Sequence, residues 1–169
     1  MLGATNIKVR KELDPTGKVE NIVATRPLWP ETVEDPSDDE LQRIRGYAND
    51  LGFFLQAFLG SNLTTWALSD LDRAFSAWQL SADQGRFTSE RVVEITGAAF
   101  GEYCNRHLRS RWLMISDAAG SGAAIRSESS RVTGWPFSTV RKRIEDNECD
   151  FFVPVYESLR RSVEEPYAD

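Results

Sequence analysis

The sequence predicts an α+β fold, and three observations support that prediction. Segments at about 37–59, 69–83 and 88–109 place apolar side chains at helical spacing. The segment 111–135 instead holds short β-prone runs separated by turns rich in Gly and Ser, which predicts a small antiparallel sheet of two to three strands. Helical patterns return after the sheet. We therefore expect a helical N-terminal half, a sheet packed against the central helix at about 88–109, and C-terminal helices.

Length and composition limit the classes to which the protein can belong. The 169 residues favour one domain over 1–169, with a hairpin and Pro-rich arm over 1–36 and an α+β body over 37–169. The net charge of -6 argues against non-specific binding to nucleic acid. No apolar run reaches the about 20 residues that cross a membrane, and the first residues lack the apolar part of a secretory signal. We therefore expect a cytoplasmic protein.

The N-terminal region predicts a β-hairpin over 7–24, because Pro15 and Gly17 supply the backbone angles of its turn. An extended connector with three prolines follows, and it contains Trp29. These features predict the hairpin and arm.

The first helix is expected from Ser37 to Leu59, with acidic residues at its start and Gly60 at its end. Phe53 falls roughly opposite the apolar stripe of this helix. We therefore expect Phe53 either to be covered by the N-terminal arm or to be exposed as a contact.

The second helix begins with S-D-L-D, which resembles a capping box with Asp72 as the acid. The central helix has an apolar arc of about half its circumference, which includes Cys104 and His107. Gly97 and Gly101 lie four residues apart, so a neighbouring element is expected to approach this helix closely.

The C-terminal region contains two further helices. Pro136 suits the first turn of a helix, in which Arg141 and Arg143 are expected to face outward. The run 151–153 is expected to be extended, and Pro154 to open the last helix.

The order of G-A-A-F-G-E-Y, R-W-L-M-I and W-P-F-S-T-V-R-K-R-I-E resembles a bacterial domain-of-unknown-function family, the one numbered 3806. The resemblance covers roughly residues 88–160. It implies a bacterial source and an α+β fold, and it brings no assigned chemistry. The matching positions are Gly97, Gly101, Glu102, Trp112, Pro136, Val140 and Arg143.

The residues supply no catalytic set, no metal-ligand set and no cofactor motif, so we assign no catalytic residue, metal or cofactor. Cys104 and His107 lie three apart on one helix, as a thiolate–imidazole pair would. A buried thiol beside a core histidine explains the same spacing, and it is the interpretation we favour.

Two functions from different classes remain open. The preferred one is a non-catalytic module that binds another protein, in an immunity-type or adaptor role; its candidate contacts are Trp29, Phe53, Trp135, Arg141 and Arg143. The alternative is a small-molecule-binding protein or enzyme with a pocket between the central helix and the sheet; its candidate residues are Tyr103, His107 and Trp112, with Trp135 nearby. A homodimer built on Phe53 and the hairpin is also open.

Overall fold

The chain is described by a computed structural model over residues 9–13, 19–24, 30–61, 63–117, 120–130 and 132–165, with side chains from residue 30 onward. It has the α+β architecture that the sequence predicts. In chain order the elements are β1 (Val9–Leu13), β2 (Val19–Ala24), β3 (Thr32–Glu34), α1 (Asp38–Asn49), α2 (Leu51–Leu59), α3 (Leu68–Leu80), α4 (Ser89–Leu108), β4 (Ser110–Asp117), β5 (Gly120–Ser127), β6 (Thr133–Gly134), α5 (Pro136–Glu145) and α6 (Phe152–Glu164).

The strands form two antiparallel sheets. β1 pairs with β2 as the predicted hairpin, whose turn at 14–18 lies outside the described residues. The larger sheet has the order β3-β4-β5-β6. β3 was expected to be part of an extended connector; it is a strand because Val33 pairs with Ile115 of β4. A three-residue strand between prolines has little local signal of its own.

The two faces of the larger sheet pack against different neighbours. Trp112 and its cross-strand partner Ile125 belong to the main hydrophobic core. Leu113, Ile115 and Ala124 form a separate small cluster. This division follows from the alternation of side chains along a strand.

The predicted helix from Ser37 to Leu59 is two helices, α1 and α2, because the chain turns tightly at Asp50. The Asp50 amide donates to the Tyr47 carbonyl at 3.1 Å, and the Asp50 carboxylate forms an ion pair with Arg91 of α4. An aspartate is a poor helix former, and here its side chain is engaged with another helix. The structure confirms that α1 begins after the N-cap residue Ser37 and that α2 ends at Gly60, whose backbone has a left-handed conformation.

Asp72 does not cap its own helix, contrary to the sequence-based expectation. The acid that accepts the amide at the start of α3 is Asp70, which bonds to Ala67 at 3.0 Å. Asp72 lies two residues further along α3 and is buried. Its carboxylate accepts the amides of Phe152 and Val153, at 2.8 and 3.1 Å.

This contact explains why the run 151–153 is not extended. α6 begins at Phe152, two residues before Pro154, because a carboxylate from α3 satisfies its first two free amides. Pro154 has no amide hydrogen to satisfy. Burial raises the pKa of the Asp72 carboxyl, against the lowering effect of these amide bonds.

α4 is the central helix, as predicted, and it contacts α1, α5, α6, β4 and β5. Its side chains are buried over most of its length, with Thr88 as N-cap. In the described ranges, no helix combines the length and apolar character needed to cross a membrane. The fold is thus arranged around α4, which the sheet, α1, α5 and α6 all contact.

Candidate functional site

The outward face of α2 is uncharged and exposes one large aromatic side chain. Phe53 is 57% exposed, and Gln56, Ala57 and Gly60 lie exposed on the same face. α2 contains no charged residue. The exposed ring of Phe53 on an uncharged helix face makes this face a candidate contact surface.

The opposite face of α2 is fixed by an aromatic cluster. Phe54, Phe58 and Phe87 have ring centroids 5.1 to 5.5 Å apart. Phe87 comes from the segment between α3 and α4, so the cluster fastens that segment to α2. Phe53 is therefore held on a rigid support although its own ring is exposed.

Arg86 lies beside Phe53 and is presented by an ordered turn. Its Cζ atom lies 5.2 Å from the ring centroids of both Phe53 and Phe87. The turn is fixed because Gly85 donates its amide to Asp83 Oδ1 at 2.9 Å, and because Trp78 Nε1 donates to the Phe87 carbonyl at 2.8 Å. Gly85 has a φ of 52°, which glycine adopts without strain.

We call Phe53, Gln56, Ala57, Gly60 and Arg86 the α2 surface. Sequence reasoning found Phe53 but missed Arg86. The available signal was the arginine between Gly85 and Phe87, yet only the tertiary fold places it over α2. At this distance the guanidinium is attracted to the Phe53 ring, which favours the position of Arg86 beside it.

The environment of Arg86 differs from that of the other described arginines that lie over aromatic rings. Among the residues that the structure describes, no carboxylate forms an ion pair with Arg86. Two other arginines lie over aromatic rings, and both have acidic partners. Arg91 pairs with Asp50 and Glu94, and Arg143 pairs with Glu148.

The two arginines expected to face outward on α5 have different environments. Arg141 is exposed and donates two hydrogen bonds to Glu90, at 2.9 and 3.1 Å. Arg143 was predicted to be exposed, which is wrong: its side chain is 7% exposed, pairs with Glu148 and lies over Phe151. The reason is the end of α5, where the Glu148 amide donates to the Arg143 carbonyl and folds the chain back.

Trp135, another predicted contact, does not join the α2 surface. Trp135 is half-buried and packs against the small cluster of Leu113, Ile115 and Ala124. Trp29 lies outside the described residues. Of the predicted aromatic contacts within the described ranges, Phe53 is therefore the exposed one.

The residues of the alternative pocket lie in two places. Trp112 is 6% exposed, donates from Nε1 to Glu102 at 2.8 Å and stacks on Phe137. Tyr103 instead contacts the rings of Trp66, Tyr156 and His107, the last at 4.3 Å between centroids. The ring neighbours of Trp112 and Tyr103 are thus different sets.

Cys104 and His107 also differ in their surroundings. Cys104 is fully buried, and burial raises the pKa of its thiol far above the ordinary range. His107 was expected in the core and is exposed, because it lies in the last turn of α4. Within the described ranges, no group of three or more His, Cys, Asp or Glu residues is placed to hold a metal.

The motif at Gly97 and Gly101 packs α4 against α5 and the sheet. A Cβ on Gly97 would lie 2.8 Å from Phe137 Cδ1. A Cβ on Gly101 would lie within 3.0 Å of two ring atoms of Trp112, and 3.2 Å from Pro136 Cγ. The close approach predicted for these glycines is confirmed, and these motif residues are structural.

Comparisons with known proteins agree with this architecture. A crystal structure from Bacteroides thetaiotaomicron VPI-5482, at 1.50 Å resolution, is similar with a TM-score of 0.60 at 11% sequence identity. The similarity covers 85% of this chain and 53% of that one, so this chain spans about half of that structure. At this identity the likeness shows a shared fold. No curated protein matches the chain.

The family of the domain of unknown function DUF3806 matches residues 72–156. The match begins earlier than the resemblance noted from the motifs, and it contains Gly97, Gly101, Trp112 and Pro136. It includes the packing residues of α4, β4 and α5 and extends over half of the sequence. The chain therefore belongs to the DUF3806 family.

Proposed function

We propose that this chain is a non-catalytic module that binds another protein through the α2 surface. The single observation that supports the proposal is Phe53, which is 57% exposed on an uncharged helix face with the Arg86 guanidinium against its ring. Aromatic residues and arginine dominate the binding energy of many protein interfaces. Phenylalanine and arginine are both enriched at protein interfaces relative to the rest of the surface.

The rigid support of the surface adds to this argument. The cluster beneath α2 and the fixed turn before Arg86 hold both side chains before any partner arrives. A preorganised contact loses less conformational entropy on binding. The surface thus has the residue types and the rigidity of an interface.

The cellular setting belongs to the same proposal. We place the protein in the cytoplasm of a bacterium, where an immunity-type or adaptor role fits a small acidic binding module. The acidic balance of -6 keeps such a module soluble while one uncharged face stays exposed.

A photo-crosslinking experiment tests the proposal. A photoreactive phenylalanine analogue is placed at Phe53, and in a matched control at Leu80 of α3, which is 84% exposed. Irradiation in the source cells is expected to give one dominant adduct from position 53, with an Arg86→Glu substitution abolishing it. Adducts that are the same from both positions, or none from position 53, would refute a partner at this surface.

A further inference from the structure

We propose that the partner presents an amphipathic helix with carboxylates beside its apolar stripe, and that this helix lies along α2 with one carboxylate paired to Arg86. This inference rests on the proposed function and names the chemistry of the partner. It joins three observations about the described residues: Arg86 has no ion-paired acid, α2 carries no charge, and Ala57 and Gly60 leave its exposed face with little side chain.

The lack of an ion-paired acid at Arg86 among the described residues indicates an acidic partner. Arg91 and Arg143 each have a ring and an acid, whereas Arg86 has two rings and no described acid. An arginine beside an aromatic ring can also pair with a carboxylate through its N–H groups, as Arg91 and Arg143 do in this chain. A partner carboxylate would complete the arrangement that the other two arginines already have.

The shape of the face favours a helix. α2 has nine residues, so its exposed face is about 13 Å long. Ala57 and Gly60 follow Phe53 with little or no side chain, and a Cβ added at Gly52 or Gly60 would meet nothing within 4 Å. A second helix would therefore approach closely and place Phe53 in its apolar stripe.

The net charge of the chain and the charge of Arg86 have opposite signs, so they predict opposite ligand preferences. At a net charge of -6, general attraction favours a basic ligand over an acidic one. A preference for an acidic helix at this surface must therefore come from local pairing with Arg86. Reversal of that one charge should reverse the preference.

The test uses two designed peptides of about 15 residues, long enough to form a helix. Both have Leu as the apolar stripe; one has Glu at the flanking positions and the other has Lys. Binding of each labelled peptide is measured by fluorescence anisotropy with the full chain, Phe53→Ser and Arg86→Glu. Arg161→Glu on α6, an exposed site, is the control with the same change in net charge.

We expect the Glu peptide to bind the unmodified chain and the Arg161→Glu control. It should lose about ten-fold or more in affinity in Arg86→Glu and in Phe53→Ser. The Lys peptide should gain affinity in Arg86→Glu. No binding of the Glu peptide, or binding that is unchanged in Arg86→Glu, would overturn the inference.

A second copy of the chain is the competing occupant, and light scattering detects it. A dimer that Phe53→Ser converts to a monomer would assign the α2 surface to self-association and overturn the acidic helix. The crosslinking experiment can fail independently of the peptide experiment. If position 53 gives an adduct but the Glu peptide is not preferred, the proposed function stands and the acidic helix is wrong. If the Glu peptide is preferred but position 53 gives no adduct, the surface binds an acidic helix in solution and the proposed function is wrong.

Discussion

Replacing Gly101 with alanine tests the packing of the family motif around Trp112. A Cβ at this position would lie within 3.0 Å of the Cη2 and Cζ2 atoms of Trp112, a separation that real Cβ atoms essentially never show. Trp112 has little freedom to move away. Glu102 holds its indole N–H at 2.8 Å, and Phe137 stacks on its ring.

Two opposing effects set the size of the change. In an exposed helix, Gly to Ala stabilises by about 1 kcal/mol. Here the added methyl either strains the contact, at about 1–3 kcal/mol, or expels the indole, at about 3–5 kcal/mol. Because the added Cβ would overlap two ring atoms of Trp112 too deeply for strain alone to relieve, the indole must be displaced. Subtracting the helix gain leaves a net loss of about 2–4 kcal/mol in the free energy of unfolding.

Equilibrium unfolding in urea, followed by circular dichroism, measures this loss. Gly46→Ala is the matched control, because Gly46 lies inside α1 and its added Cβ meets nothing within 4 Å. The control should be stabilised by up to about 1 kcal/mol. Trp112→Phe should reduce the cost of Gly101→Ala, since the smaller ring lacks the clashing atoms. If Gly101→Ala is as stable as the unmodified chain, the packing described for α4 is wrong.

Three further predictions concern other contacts. Asp72→Ala should cost about 1–3 kcal/mol in urea unfolding, because it leaves two amides of α6 without their acceptor; an unchanged midpoint would refute this cap. Arg143→Ala should cost about 1.5–3 kcal/mol in the free energy of unfolding, while the exposed Arg141→Ala should cost at most about 1 kcal/mol; equal losses would contradict the assignment. In the native protein a thiol reagent should modify the half-exposed Cys149 and reach the buried Cys104 only on unfolding; rapid reaction of both would argue for an activated Cys104.

Local sequence patterns predicted the structure correctly where the deciding contacts lie within one helix or its immediate surface. The start of α1 at Ser37 is confirmed because Ser37 and Glu40 exchange hydrogen bonds within one turn. The close approach at Gly101 is confirmed because small residues four apart leave a groove on any helix. Phe53 was placed correctly on the outer face by helical periodicity alone.

Local patterns failed where a distant residue decides the outcome. Asp72 looks like an N-terminal cap in sequence, but its partners are 80 and 81 residues away. Arg143 looks like an exposed base, and its burial depends on the fold of the chain after α5. Arg86 joins Phe53 only through the tertiary position of the turn between α3 and α4.

The most direct test of the account measures stability and binding together for Phe53→Ser. Because most of the Phe53 ring is exposed, the thermal midpoint should stay within a few degrees of the unmodified chain, in which a loss of about 1 kcal/mol shifts the midpoint by about 2–4 °C. Crosslinking from a neighbouring position, Ala57 of the α2 surface, should lose its adduct completely in this variant. A large fall in the midpoint, or an adduct that persists, would show that Phe53 serves the fold and not a partner.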